Sequence, residues 1–284
     1  MKIYYSLLFL LIGFQIYGQQ PETILIKKKL KDTDGYEYKV KYYTLKFDTS
    51  IKHGYYERYN IIKSLVETGF YKYGVKDSTW KTYIIGKYVG SIGNYKNGKK
   101  NGEWKYYTNV GTRNPNYDRK SPVVLIKSGF YSEDNPIAIW NYYKNGKLEQ
   151  QYDYSNDSII FPLRIDDNYA YTIKSDTGII KSKLDRAPML VGGNTIRIEN
   201  WKNMDNSKLY RLSNEQEDVS YSLSFWIKPN GETYGYKMVK SVNDKYDNYI
   251  IEYYKENYKW IPGQLNGENI ECKITVSEGY IVKM

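Results

Sequence analysis

The stretch Gly93–Tyr107, GNYKNGKKNGEWKYY, decides how the first half of this chain folds. Tyr95, Trp104 and Tyr106 are strong strand formers. Asn97-Gly98 and Asn101-Gly102 tolerate the positive φ that a tight hairpin turn requires. The expectation is two strands joined by a short turn. Outward from it the same frame recurs: a Gly, an aromatic two residues on, Trp eleven after the Gly and Tyr fourteen after it. Gly69, Tyr71, Trp80 and Tyr83 meet it, as do Gly93, Tyr95, Trp104 and Tyr107, and Gly129, Tyr131, Trp140 and Tyr143. A degenerate first copy sets Leu45, Phe47, Tyr56 and Tyr59 at the same offsets. The copies start at 45, 69, 93 and 129, and the longer last interval carries an insertion around Asn109–Ser121. The last copy has SEDNPIA, Ser132–Ala138, where the Gly-rich turn should be. A fixed period of this size marks stacked supersecondary units, none of which buries its apolar face alone.

On these residues the run over 45–154 resembles the MORN repeat in its bacterial form, G-x-Y-x-x-G-x-x-x-G-x-W-x-x-Y. The resemblance implies β-hairpins joined into an extended antiparallel sheet, with scaffolding or envelope roles; some bacterial members carry an antitoxin label. Trp and Tyr three apart on a strand point to opposite faces. The sheet is then either covered on both sides or keeps an aromatic surface for a partner. Trp80, Trp104, Tyr107 and Trp140 are the candidate partner-binding side chains, against the alternative that they only stack repeat on repeat. Stacked Trp/Tyr strips can also take sugar rings, as in a cell-wall polymer.

The opening MKIYYSLLFLLIGFQIYGQQ has a positive n-region at Lys2, an apolar core from Leu7 to Phe14 and a small polar cut site at Gly18-Gln19. It reads as a signal peptide over 1–19, too short for a stable membrane span, and addresses the chain to the periplasm, the outer membrane or beyond. Cys272 is the only cysteine and His53 the only histidine, which argues against disulfides, thiolate metal clusters and His-based triads. Cys272 alternates with Ile270, Ile274 and Val276 as a small core residue of a strand. His53 beside Gly54 reads as a solvated turn residue. The net charge of +10 fits an anionic surface or polymer; export argues against nucleic acid. The acid pairs Asp166-Asp167 and Glu215/Glu217 read as solvated charges rather than a glycosidase couple. No cofactor, metal or catalytic residue is expected.

After Tyr154 the frame stops. Residues 155–183 read as a linker with one or two closing strands, and 184–284 as a compact unit. Val219 to Ile227 alternate as a strand, Lys228-Pro229-Asn230-Gly231 turns, and Tyr234 to Met238 return. Asp244 caps a helix with Tyr246, Tyr249, Ile250, Tyr253 and Tyr254 on its apolar stripe, and Ile270–Val276 forms a last strand. This β-β-α-β order is similar to the C-terminal domain of the TonB energy-transducer family. The carrying residues are Asp185-Arg186-Ala187-Pro188 with Gly192-Gly193, Pro229-Asn230-Gly231, Lys259-Trp260-Ile261-Pro262-Gly263 and Asn266-Gly267. The resemblance implies recognition of a protein segment by strand pairing. Trp260, Ile270 and Ile274 are then candidate binding residues, and the last strand, with no later element over it, is the candidate edge. The chain departs from that family in lacking a Pro-rich spacer, with MORN-like repeats in its place. The whole is mainly β with a small α+β domain: an exported, non-catalytic binding or scaffolding protein for an envelope protein or peptide. The alternative is an energy transducer that keeps its first segment as an anchor.

Overall fold

The computed structural model describes residues 20–32, 35–84, 86–109, 123–162, 169–214 and 218–281. The expected signal peptide, all but Asn109 of the insertion, and the acid pairs at 166–167 and 215/217 lie outside the described residues. Eleven strands run in order, each antiparallel to the next, in one continuous sheet. They are β1 (Thr23–Lys31), β2 (Glu37–Leu45), β3 (Lys52–Tyr59), β4 (Leu65–Lys72), β5 (Val75–Ile84), β6 (Tyr88–Lys96), β7 (Lys99–Asn109), β8 (Val123–Ser132), β9 (Asn135–Lys144), β10 (Lys147–Asp153) and β11 (Ser158–Phe161).

Each frame builds one strand–turn–strand unit. The last three turn at Tyr73-Gly74, Asn97-Gly98 and Glu133-Asp134, and β9 turns into β10 at Asn145-Gly146, each with both residues at positive φ, the twist that suits a hairpin. Glu133-Asp134 makes this turn without a glycine, so SEDNPIA does not break the repeat. Asn101-Gly102 is not a turn: Gly102, with its counterparts Ser78 and Ala138, lies at positive φ in a bulge inside the second strand. The bulge explains the Gly and Trp of the frame. An ideal Cβ at Gly69, Gly93 or Gly129 would fall 2.1, 2.1 and 2.2 Å from the ring of Trp80, Trp104 and Trp140, because each indole lies flat on the glycine backbone. There its Nε1 donates to the carbonyl opposite the bulge, Phe70 O at 3.0 Å, Asn94 O at 3.1 Å and Phe130 O at 3.1 Å. Successive units are tied by a repeated bond: the N–H of Gly74, Gly98 and Asp134 donates to the carbonyl of Lys52, Lys76 and Lys100.

The rings form a ribbon across one face, Tyr42, Tyr56, Tyr71, Trp80, Tyr95, Trp104, Tyr131, Trp140 and Tyr154, with neighbouring centroids 4.9 to 6.4 Å apart. Edge-to-face pairs of this kind add roughly 0.5–1.5 kcal/mol each beyond area burial. The tryptophans are its floor, 2%, 4% and 2% exposed. In the first copy Tyr56 joins the ribbon, but Leu45 is buried and Phe47 stands in solvent, because the turn there is longer. His53 is buried between Phe70 and Tyr73, its Nδ1 accepting the Tyr73 N–H at 3.3 Å, and is not a solvated turn residue.

The second sheet takes strands from further apart. It is ordered β13–β12–β20–β15–β16, from β12 (Tyr171–Ser175), β13 (Gly178–Ser182), β15 (Asp218–Ile227), β16 (Thr233–Lys240) and β20 (Cys272–Ile281). Between these lie β14 (Met189–Leu190), helices α1 (Gly193–Asn203), α2 (Asn206–Leu212) and α3 (Asp244–Asn257), and the short β17 (Trp260–Ile261), β18 (Gly263–Leu265) and β19 (Glu268–Ile270). The segment 155–183 is thus shared out, β11 to the first sheet and β12–β13 to the second. Asn243, not Asp244, caps α3, its side chain accepting from the N–H of Lys245 and Tyr246. Tyr246, Ile250 and Tyr254 of α3 pack with Leu223, Phe225, Ile227 and Cys272 in the main core. A smaller cluster joins the halves: Met189, Val191 and Ile261 bury against Trp140, Tyr142 and Tyr152. Lys127 of β8 reaches Glu199 of α1 at 2.5 Å across the same junction.

Candidate binding groove

The two motif blocks of the second half lie side by side. Arg186 and Gln264 exchange backbone bonds, Met189 and Leu190 pair with Ile261 and Trp260, and Val191 N–H donates to Lys259 O at 2.9 Å. Gly231 is required because a Cβ there would meet the Trp260 carbonyl at 2.6 Å. Beside this ladder a groove of about 430 Å³ opens between the halves, within the size of small-ligand and peptide pockets. Glu149 and Gln150 of β10 form one wall; Tyr254, Tyr258 and Trp260 form an aromatic wall. The third wall is the strand edge Thr275–Glu278 of β20.

That edge is open. β20 pairs along its whole length with β15, but with β12 only at Cys272 and Lys273 among the described residues. Lys174 N–H donates to Glu271 O at 3.1 Å, so odd-numbered residues here turn their backbone groups to the β12 side. Beyond Lys273 the next such residues, Thr275 and Ser277, face the groove. The expected edge strand is therefore half covered, and the expected Ile270–Val276 strand is split: Ile270 belongs to β19 and pairs with Gly263, while Ile274 lies in β20. Both side chains pack at the rim of the main core rather than standing free.

Two buried polar atoms of the groove, Glu149 Oε2 and Trp260 Nε1, have no partner among the described residues. Others are paired: Gln150 Nε2 donates to Leu190 O at 3.1 Å, Asn194 Nδ2 to Glu149 Oε1 at 2.8 Å, and Arg197 faces Glu278 at 3.5 Å. Burial pushes the Tyr254 hydroxyl up to about 12 and the Tyr258 hydroxyl higher still, so both remain neutral donors near pH 7. No group of three or more His, Cys, Asp or Glu that could hold a metal occurs among the described residues.

Of the sequence candidates, Trp260 is at the groove and Ile274 adjoins its edge. Trp80, Trp104 and Trp140 are too deeply buried to meet a partner, since each indole must cover its glycine. Tyr107 is half-buried away from the groove. The structure adds a row that the sequence reading overlooked: Lys52, Lys76 and Lys100, each seven residues into its frame. Their ammoniums lie over ribbon rings, 4.8 Å from Tyr71, 3.8 Å from Trp80 and 4.9 Å from Trp104. Burial and then a neighbouring lysine hold Lys52 and Lys100 below the usual lysine range. Lys76 pairs with Glu67 at 2.9 Å. No helix among the described residues is long and apolar enough to cross a membrane. No family model, curated protein or solved structure matches this chain.

Proposed function

We propose that this protein is an exported, non-catalytic envelope component that captures an extended peptide in the groove by adding it as a strand to β20. The observation that carries the reading is the half-open edge of β20 beside an aromatic wall. An incoming strand would satisfy the outward groups of Thr275 and Ser277, and alternate side chains would meet Tyr254, Tyr258 and Trp260. The likeness of the C-terminal unit to TonB-type domains supports the same habit, and that of the first sheet to MORN repeats supports a scaffolding role. The test is selection of binders from a random peptide library on the full chain, followed by calorimetry. Binding should disappear in Thr275→Pro, which removes an outward N–H and spares the β15 ladder. It should also fail when alternate backbone nitrogens of the peptide are methylated. Selected peptides that bind Thr275→Pro unchanged, or tolerate the methyl groups, would refute strand addition.

A second reading rests on the lysine row. Lys52, Lys76 and Lys100 recur every second strand, about 9.6 Å apart at ordinary strand spacing, a regular array for an anionic cell-wall polymer. Co-sedimentation with alginate but not with neutral dextran, lost in the triple Lys→Gln variant, is the expected result; equal retention of both glycans would exclude it.

A further inference from the structure

One buried cation has no counter-charge among the described residues. Arg186 is 7% exposed and forms no salt bridge among the described residues. Its Nη2 donates to Pro262 O and to Asn269 Oδ1, each at 3.2 Å. Its Nε is buried without a partner. Loss of hydration lowers its pKa, and no acid among the described residues offsets that shift. A guanidinium cannot shed its proton to escape burial, as a lysine or a carboxyl can. An uncompensated charge in such a place weakens the fold, and an apolar side chain of similar volume would serve packing better.

Arg186 lines a cavity of about 450 Å³ on the side of Trp260 away from β20, between the turn after β10 and the Pro229–Gly231 turn. Asp157 is the one carboxylate among its lining residues, and it is already engaged by the Lys259 ammonium and the Tyr152 hydroxyl. Asn230, Gln264 and Asn269 supply neutral polar walls. The cavity therefore holds one unbalanced positive charge, whose Nη1 is bonded to no described residue while Nε lies sealed behind it.

We infer that this cavity binds a single carboxylate seated on Arg186. A planar monoanion matches one planar guanidinium in charge and shape; a phosphate dianion would leave excess charge in a site with one free cation. The carboxylate belongs to a small organic acid or to the C-terminus of a peptide, and the two share this chemistry. The site is separate from the β20 edge, so Thr275→Pro leaves it intact, and failure of one reading leaves the other standing.

The test is calorimetry on the full chain with acetate, N-acetylalanine, N-acetylalanine amide and inorganic phosphate. The acids should bind saturably and the amide about tenfold or more weaker, the loss of one charge-assisted hydrogen bond. Similar affinity for acetate and N-acetylalanine identifies a free small acid; tighter N-acetylalanine identifies a chain terminus. Arg186→Met should lose the preference for acid over amide while its ligand-free melting midpoint stays equal or rises. Should that variant not fold, Arg186→Lys, with its shorter and narrower cation, should weaken the acids and keep the fold. Equal binding of acid and amide, binding of phosphate alone, an unaltered preference in folded Arg186→Met or in Arg186→Lys, or no saturable binding would each overturn the inference.

Discussion

Substituting Gly93 by Ala tests whether the repeat glycine exists to seat an indole. The added Cβ would lie 2.1, 2.2 and 2.4 Å from Cδ2, Cε2 and Cγ of Trp104. Carbon atoms need roughly 3.5 Å, so the ring must lift by more than about 1 Å. It cannot lift freely: Tyr95, Tyr106 and Tyr131 surround it at 5.3, 5.8 and 6.1 Å, and its Nε1 is bonded to Asn94 O. Overpacking costs about 1–3 kcal/mol and the lost hydrogen bond about 1 kcal/mol more. Against this, Gly93 has no positive φ, so alanine would otherwise stabilise by about 0.4–1 kcal/mol through the unfolded chain. The net expectation is a loss of about 2–3 kcal/mol in urea unfolding followed by circular dichroism. Trp104→Ala alone should cost roughly 3–5 kcal/mol. On that background Gly93→Ala should become neutral or slightly stabilising, a coupling of about 2–3 kcal/mol. Gly102→Ala is the control: φ is +76° with nothing within 4 Å of its Cβ, so it should cost about 1–2 kcal/mol in both backgrounds. A Gly93→Ala effect that is absent, or identical with and without the indole, would refute the packing argument.

Burial raises the phenols of Tyr56, Tyr71, Tyr106, Tyr142 and Tyr152, that of Tyr71 to about 12. The folded chain thus keeps protons that the unfolded chain releases near pH 10, and stability should fall as pH rises above about 10. Lys52 and Lys100, lowered by burial, oppose this between their lowered values and about 10.4, but two groups do not offset five. Phenolate absorbance of these five tyrosines should appear together with loss of the circular dichroism signal; their ionisation near pH 10 with the sheet intact contradicts this. Burial pushes the Cys272 thiol up to about 11, so alkylation at neutral pH should track the rate of unfolding, and rapid labelling of folded protein speaks against a core position. Glu199→Gln should cost about 2 kcal/mol, since it leaves Lys127, 12% exposed, facing Lys100 without its partner; no change in the melt would make the junction pair incidental. Mass spectrometry of exported protein should find a mature N-terminus near residue 19 or 20, whereas retention of Met1–Gln19 favours the energy-transducer alternative.

The long sheet was legible because its period appears in residues of strong preference, Gly, Trp and Tyr. The role of the second glycine was not, since Gly102 suits a turn and a bulge equally, and only cross-strand register separates them. Lys52, Lys76 and Lys100 were readable at a fixed frame position but pass for solvated charges until the rings beneath them are seen. Helix α1 escaped because Ile196 and Ile198 fall on different sides and make no stripe, Ile198 being exposed. The cover over the start of β20 left no local signal: alternation in Tyr171–Ser175 predicts a strand but not its partner, about a hundred residues downstream. Arg186 belongs to a recognisable motif, and nothing in a sequence states that a charge is buried alone.

The bond from each turn to the lysine carbonyl of the preceding unit makes the first sheet a thing of adjustable length. The same backbone bond recurs at all three junctions and the Gly–Trp seat in the last three units, so a copy can be removed or added in a block of 24 residues without redesigning either end. The longer third interval shows the tolerance of the plan: β7 and β8 remain paired from Asn109↔Val123 to Gly102↔Tyr131 although the chain between them is extended. Each block moves the outer strand β1 by about 9.6 Å from the groove. Whole hairpins thus set the distance between β1 and the groove in equal steps, so that distance changes by counting copies rather than by reshaping either end.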